Sequence, residues 1–479
     1  MGWSAAVDAD SNLVLKVSLW GSVAWRTSTG TVDCCVWSTS IRFLNLIPFP
    51  PRGRHQPTVF RVSGVTVMDI VHDRAVGMDI SKRDAKVCLR VPGQRAGTFS
   101  STVTTWGATT QQILALRDFL EQEHVTTVVM EATSDYWKPF FYLMEETLPV
   151  MLVNAKSARN IPGRKTDVSD AAWLAQLAAH GLLRASFIPP EPVRELRDLT
   201  RARAIATRDR SREIQRLEKF LEGSGIKLSS VVSDLTGVSS RAMLEALVRG
   251  ERDPQVLAGL AKGTLKSKVP ELVDALTGRF REHHAFMVRL HLDQIDAQTR
   301  ILDELTERIE AAMAPFRTIR EFLATIPGVS LRTAEVIVAE TGADMSVFET
   351  PGRLASWAGV CPGNNQSAGR VKSAHILPGN KYLKAALGTA ALSACKGKTT
   401  YLGAKYRRIT ARRGSKRALV ALEHSIIMAV WHMLADGECY SDPGADYFTR
   451  LDPIKARNGA IKKLNSLGFD VTITPVTAA

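Results

Sequence analysis

Between Arg74 and Ala179, short apolar runs and amphipathic runs alternate in an order that few folds accommodate. AVGMDIS (75–81) is an unbroken apolar run closed by an acid, the pattern of a buried strand. After the polar turn SKRD, AKVCLRVP (85–92) is a second strand, and GTFSSTVTT (97–105) a third. TTQQILALRDFLEQEH then places Ile113, Leu116, Phe119 and Leu120 on one helical face. VTTVVMEAT is a buried strand ending at Glu131. A helix with Tyr136, Phe140 and Leu143 leads to the strand PVMLVNA, and a last helix contains GRKTDVSDAAWLA (163–175). The predicted order is βββαβαβα, an α/β domain.

Four acids punctuate this pattern. Asp79 and Glu131 close two strands, and binding sites in open α/β sheets form at the carboxyl ends of strands. Asp167 and Asp170 are three residues apart, on one face of a helix start. Taken alone, that spacing favours a capped helix, with Asp167 as N-cap and Asp170 near the positive end of the dipole. A hard cation held between the two carboxylates is the other reading, since Mg²⁺ prefers oxygen ligands. A lone acid at a strand end is a turn residue; four that one topology can gather at one point weigh toward the cation.

Composition narrows the partners. The chain has 479 residues, enough for two to four domains, with a formal net charge of +14 and a pI near 9.6. Such a surplus favours a polyanion, nucleic acid being the commonest. The six cysteines show neither a CxxC pair nor zinc-ligand spacing, so reduced thiols in a cytoplasm fit better than disulfides. No continuous apolar run has membrane-spanning length, and no membrane partner is expected.

The order and the acids resemble an RNase H-like domain of the Holliday-junction resolvase type. More closely, GMDISK, VVMEAT and GRKTDVSDA look like the DEDD transposases of the insertion sequence 110 family. The resemblance implies that Asp79, Glu131, Asp167 and Asp170 bind divalent metal, Mg²⁺ being expected, in a two-metal site that activates a nucleophile at a phosphodiester. It covers roughly Arg74 to Ala435.

Residues 1–67 are unlike the rest, with four tryptophans, the Cys34-Cys35 pair and PFPPRGRH. They are expected to be poorly ordered, either preceding the functional start near Met68 or forming an added arm. Residues 68–188 form the RNase H-like DEDD domain. Residues 189–318 are expected to be a helical arm: one long helix ends at Gly223 and Gly225, and a second runs from about Lys268 or later to Ala314. In it Val288, Ile295, Leu302 and Ile309 recur at seven, with Leu305 between, which is coiled-coil spacing over about three heptads. An antiparallel hairpin and a dimerisation arm are equally consistent with that spacing; the resemblance favours the arm. His283, His284 and His291 are read as part of a solvated face.

Residues 319–445 form a mainly α C-terminal domain. FLATIPGVSLRTAEVIVAETGAD resembles a helix-hairpin-helix, whose turn amides can meet a phosphate backbone. In PGNNQSAGRVKSAHILPGNKYLKAAL, Ser367 is placed in a loop beside Arg370 and Lys372. Without context it is a turn residue. SAGRVKS with GN..L matches the family stretch that holds a catalytic serine, so the resemblance implies that Ser367 attacks DNA and becomes covalently linked; Arg370 stands where lysine is usual. KGKTTYLGAKYRRITARRGSKR (396–417) holds nine basic residues and no acid, with Tyr401 and Tyr406 interleaved, a pattern suited to backbone contact and base stacking. The tail, 446–479, reads as a short helix and a strand-like FDVTITPV.

The resemblance also implies DNA ends and target as substrates, a guide RNA and a homo-oligomer, dimer or tetramer, in the bacterial cytoplasm. A junction-resolving nuclease would need the four acids but not Ser367. An actin-like nucleotide fold would need a second glycine-rich phosphate loop, and none lies between Glu131 and Gly181. A non-catalytic DNA-binding scaffold would tolerate loss of the acids.

Overall fold

The computed structural model describes residues 6–7, 13–14, 70–95, 97–132, 134–154 and 170–474. It divides into two units, Met1–Met68 and Asp69–Ala479. In the first, the described backbone is one antiparallel pair, β1 (Ala6–Val7) with β2 (Leu13–Val14). The expectation for residues 1–67 otherwise lies outside the described residues.

The second unit opens with the order read from the sequence. β3 (Ala75–Ile80), β4 (Asp84–Pro92) and β5 (Phe99–Gly107) form an antiparallel meander. α1 (Thr110–Gln122), β6 (Thr127–Glu131), α2 (Trp137–Met144), β7 (Val150–Val153) and α3 (Asp170–Ala179) follow. Spatially the sheet runs β5-β4-β3-β6-β7, with β6 parallel to both β3 and β7. The central strands are buried on both faces, which is why they read as unbroken apolar runs. The edge strand β5 is polar and mostly exposed, which blunts an edge against pairing with other chains. α1 and α2 cover one face through Ile113, Leu116, Leu120, Phe140 and Met144. α3 covers the other, through Trp173, Leu174 and Leu177.

The arm is an antiparallel helix pair. α4 (Glu191–Gly223) turns at Gly225, φ +84°, and α8 (Glu282–Ala312) returns along it. Between them α5 (Val238–Val248), α6 (Pro254–Gly259) and α7 (Val269–Leu276) close the far end around Leu217, Leu221, Val288 and Leu292. The second long helix, expected from about Lys268 or later, begins at Glu282, and α7 before it is separate. α7 stops at Leu276, because Gly278 lies against the Ser224 and Gly225 backbone, where an added Cβ would come within 2.9 Å. Of the heptad residues, Val288 and Ile295 are buried in the core of this arm and Ile309 in the C-terminal core, while Leu302 and Leu305 are half-buried.

Beyond it, α9 (Arg317–Leu323) and α10 (Leu331–Thr341) are two helices joined by a turn at Gly328, φ +92°. α11 (Pro351–Trp357), a β-hairpin, α12 (Lys381–Ala394), α13 (Tyr401–Arg413) and α14 (Ser415–Asp436) complete the domain. By length and composition α14 could cross a membrane. Here Leu422, Ile426, Ile427 and Val430 lie fully inside the C-terminal core, which accounts for the apolarity. In the tail, α15 (Tyr447–Leu451) and α16 (Pro453–Ser466) are helical. Residues 469–474 of the expected strand are not a strand, and 475–479 lie outside the described residues.

Candidate active site

Met78 pairs with Met130 across the parallel β3–β6 ladder, so Asp79 and Glu131 are the next residues on neighbouring strands. They share the face of Gly77 and Val129, because side chains alternate along a strand. That face carries α3. A Cβ on Gly77 would fall 2.2 Å from the Ala171 carbonyl oxygen, and Val129 packs in one cluster with Leu174. The helix runs against β3: the Ala179 carbonyl, at its far end, accepts from the Val71 and His72 amides just before the strand. The start of α3, Asp170, therefore lies at the carboxyl ends of β3 and β6.

Three of the four predicted acids thus come to one end of one sheet face. Asp167 lies outside the described residues. Glu131 is buried, Asp79 and Asp170 half-buried. The approach depends on small residues: Gly77, Ala171 and Ala175 let the α3 backbone settle onto β3 and β4. Among the described residues, no group of three or more His, Cys, Asp or Glu side chains closes into a metal-ligand cluster. The donors are nonetheless all carboxylates, the hard oxygen ligands that Mg²⁺ takes.

Of the three histidines His283 is exposed, as expected, while His284 and His291 are half-buried. His283 and His284 ring-pack with Phe220, and His291 Nδ1 lies 2.6 Å from Glu213 Oε1. Burial pushes the Glu213 carboxyl up, but hydrogen bonds from His291 and Arg216 outweigh it and hold the group below the ordinary carboxylate range. These rings knit α4 to α8.

Ser367 stands on a separate element, and it is not in a loop. β8 (Asn365–Ser367) pairs with β9 (Arg370–Ser373) in a two-residue hairpin that puts Ser367 across from Arg370. The turn residues Ala368 and Gly369 both have positive φ, +49° and +76°, the backbone of a type I′ turn. Alanine is unusual there, which is why the sequence reads as a loop. Ser367, Arg370 and Lys372 are exposed. Below the ribbon the chain is pinned: Gly363 N donates to His375 O at 3.2 Å, and Gly359 (φ +76°) lies against Gly379 (φ +57°).

The basic run is corrected in part. Tyr401 stacks on Phe448 and packs edge-on against Tyr447, and Tyr406 packs against the C-terminal core. Neither ring is set out for stacking on bases. Lys405 donates to Ser425 Oγ at 2.5 Å, Arg407 to the Gly397 and Lys398 carbonyls, and Arg408 lies over Phe448. Arg412, Arg413, Lys416 and Arg417 are exposed around the α13–α14 corner at Gly414, φ +82°, in a stretch without acids. The turn of the α9–α10 hairpin faces inward at Gly328, whose Cβ would come within 2.4 Å of the Ala390 carbonyl.

Sequence reasoning missed the charges that join these parts. Arg194 on α4 grips Glu145, after α2, with both guanidinium nitrogens, at 2.9 and 2.7 Å. One helical turn further, Arg197 and Arg201 reach the fully buried Glu340 of α10. Arg203 meets buried Glu335 at 2.6 Å, which also receives Arg320. The signal was there, as arginines at spacings of three and four along α4, but their partners lie about 140 residues away in the chain.

Comparison with known proteins gives this arrangement a family. A family described as a transposase, of the DEDD and IS110 type, matches residues 76–225, and the transposase IS116/IS110/IS902 family matches 320–408. A 43.6 kDa protein of insertion element IS110 from Streptomyces coelicolor is 30% identical over 190 residues, 39% of this chain and 42% of the relative. The match thus spans less than half of that relative's length. The transposase for insertion sequence element IS1111A from Coxiella burnetii is 22% identical over 404 residues, 81% of this chain and 96% of the relative. The mixed sheet with its helical C-terminal half fits an RNase H-like domain, and with both family regions present in order, the chain belongs to the IS110 family of transposases.

Proposed function

We propose that this chain is a DNA transposase that cuts and rejoins strands at the ends of an insertion sequence. The observation that carries the reading is the arrival of Asp79, Glu131 and Asp170 at one end of one sheet face. With Asp167 they would hold divalent metal, Mg²⁺ in the first instance. When bound, that group supplies positive charge at a phosphodiester and lowers the pKa of an attacking hydroxyl. The rest falls to the chain. The Ser367 hydroxyl gives up its proton and its Oγ attacks phosphorus; a new O–P bond forms, the bond to the leaving sugar oxygen breaks, and that oxygen takes a proton. The DNA end stays on the serine as a phosphodiester, so bond energy is conserved for rejoining. Arg370, across the ribbon from Ser367, is placed to neutralise phosphate charge. The exposed α13–α14 corner offers four cations for the backbone of DNA or of a guide RNA. A homo-oligomer would bring the ribbon of one subunit to the acids of another, through a surface other than the heptad residues that the arm buries within itself.

The test is incubation of the full chain with element-end DNA, candidate RNA and Mg²⁺, read on a denaturing gel for protein-linked DNA. Ser367→Ala is expected to abolish the linked species. Cleavage that persists in this variant, with protein-free products, would turn the reading into a junction-resolving nuclease.

A further inference from the structure

We infer that Glu340 and Asn380 are a positioning pair that sets the root of the Ser367 hairpin; the inference rests on Ser367 being the nucleophile. Glu340 is fully buried on α10. Arg201 holds both its oxygens at 2.8 Å, and Arg197 binds its backbone carbonyl at 2.7 Å. Oε2 also lies 3.4 Å from Arg197 Nε and accepts from Asn380 Nδ2, at the start of α12, at 2.7 Å. The other end of that amide caps α12, with Oδ1 accepting from the Tyr382 and Leu383 amides at 3.0 and 3.1 Å. Asn380 directly follows Gly379, whose backbone lies against Gly359 where the two legs of the hairpin meet. Asn365 to Arg370 and Lys372 of the ribbon are exposed, so its aim is set at this root.

The chemistry explains why asparagine stands here. A cap needs an acceptor oxygen, and the buried carboxylate needs a donor. Serine would cap but could not span to Glu340. Aspartate would cap but would set a second carboxylate against the first. Through Glu340 the pair is continuous with Arg197 and Arg201 on α4, and Arg194 of the same helix grips the acid-bearing domain. The pair therefore ties the serine's support to the helix that leaves that domain.

Asn380→Asp and Asn380→Ser in the full chain test this. Two readouts are taken: tryptic cleavage after Arg370 and Lys372, and kcat and KM for protein-linked DNA. Asn380→Asp is expected to speed tryptic cleavage about fivefold and lower kcat about tenfold with KM within about twofold, because the fault lies in placement rather than binding. Asn380→Ser should do the same to a lesser degree, and carries the test if the aspartate variant does not fold. Wild-type proteolysis and kcat in both variants would overturn the inference, as would a KM that rises as far as kcat falls. If Ser367→Ala still forms linked DNA, the proposed function fails, while the proteolysis readout still reports on the clasp.

Discussion

The carboxylate end of the sheet and the serine ribbon are built in opposite ways. The acids stand where two buried strands and a helix meet without room for a methyl group, at Gly77 against Ala171. The serine stands on an exposed two-stranded ribbon, secured only at its root. The difference matches what the proposed function would ask of each, a shared cation at the acids and a nucleophile at the serine. Like charges gathered in one place repel, and only a stiff scaffold keeps them close enough to share a cation. A nucleophile that must reach a phosphate in a bulky duplex gains from protrusion, and pays in precision, which its root must restore.

The comparison can be broken most directly at the acids. Asp170→Asn should cut strand cleavage by about 10³-fold or more while leaving DNA affinity within about twofold, measured by gel and by filter binding. Equal losses in both would mean that the acid end is a structural or DNA-holding feature. Next come two matched glycines. Gly77→Ala should lower unfolding free energy by about 3 kcal/mol, since the new methyl meets backbone that cannot retreat. Gly369→Ala meets no atom within 4 Å, and should cost only the ~1 kcal/mol of a positive-φ alanine. Equal costs in chemical denaturation would erase the distinction between stiff site and loose ribbon. Between those two in size, Mg²⁺ at ten times its Kd should stabilise the wild type by about 1.4 kcal/mol and leave Asp79→Asn unmoved.

The smallest effect concerns Glu423, a buried carboxyl whose Oε2 has no partner among the described residues. Burial pushes its pKa up from the ordinary value of 4.5. The folded state then holds a proton that the unfolded state has released, so stability falls as pH rises from 4.5 through the folded value. Glu423→Gln should flatten that slope and gain up to ~1 kcal/mol at neutral pH, read from denaturation midpoints across pH.

The same contrast explains what could be read in advance. The sheet was legible because buried strands leave unbroken apolar runs, and its order βββαβαβα follows from them directly. Asp79 and Glu131 were legible as strand-closing acids. The hairpin was not, since Ala368-Gly369 is an uncommon pair for its turn and the ribbon buries too little to leave a pattern. The start of α8 could be placed only as Lys268 or later, because the break, residues 277–281, is fixed by Gly278 pressed onto Gly225, a contact between residues far apart in the chain. Tyr401 and Tyr406 were read as stacking platforms because a basic run says nothing about which way its rings point. Glu340, Glu335 and their arginines were invisible for a simpler reason: a buried ion pair looks like two ordinary surface charges until the chain is folded.

Arg194, Arg197 and Arg201 lie on one stripe of α4, holding Glu145 at one level and Glu340 at the next. A helix turns about 100° per residue. A single alanine inserted between Arg194 and Arg197 would therefore leave every contact type intact in the sequence and swing one grip a quarter-turn away from the other. The acid-bearing sheet and the serine-bearing half are geared through a rotational phase, so this junction should tolerate changes of residue far better than changes of length.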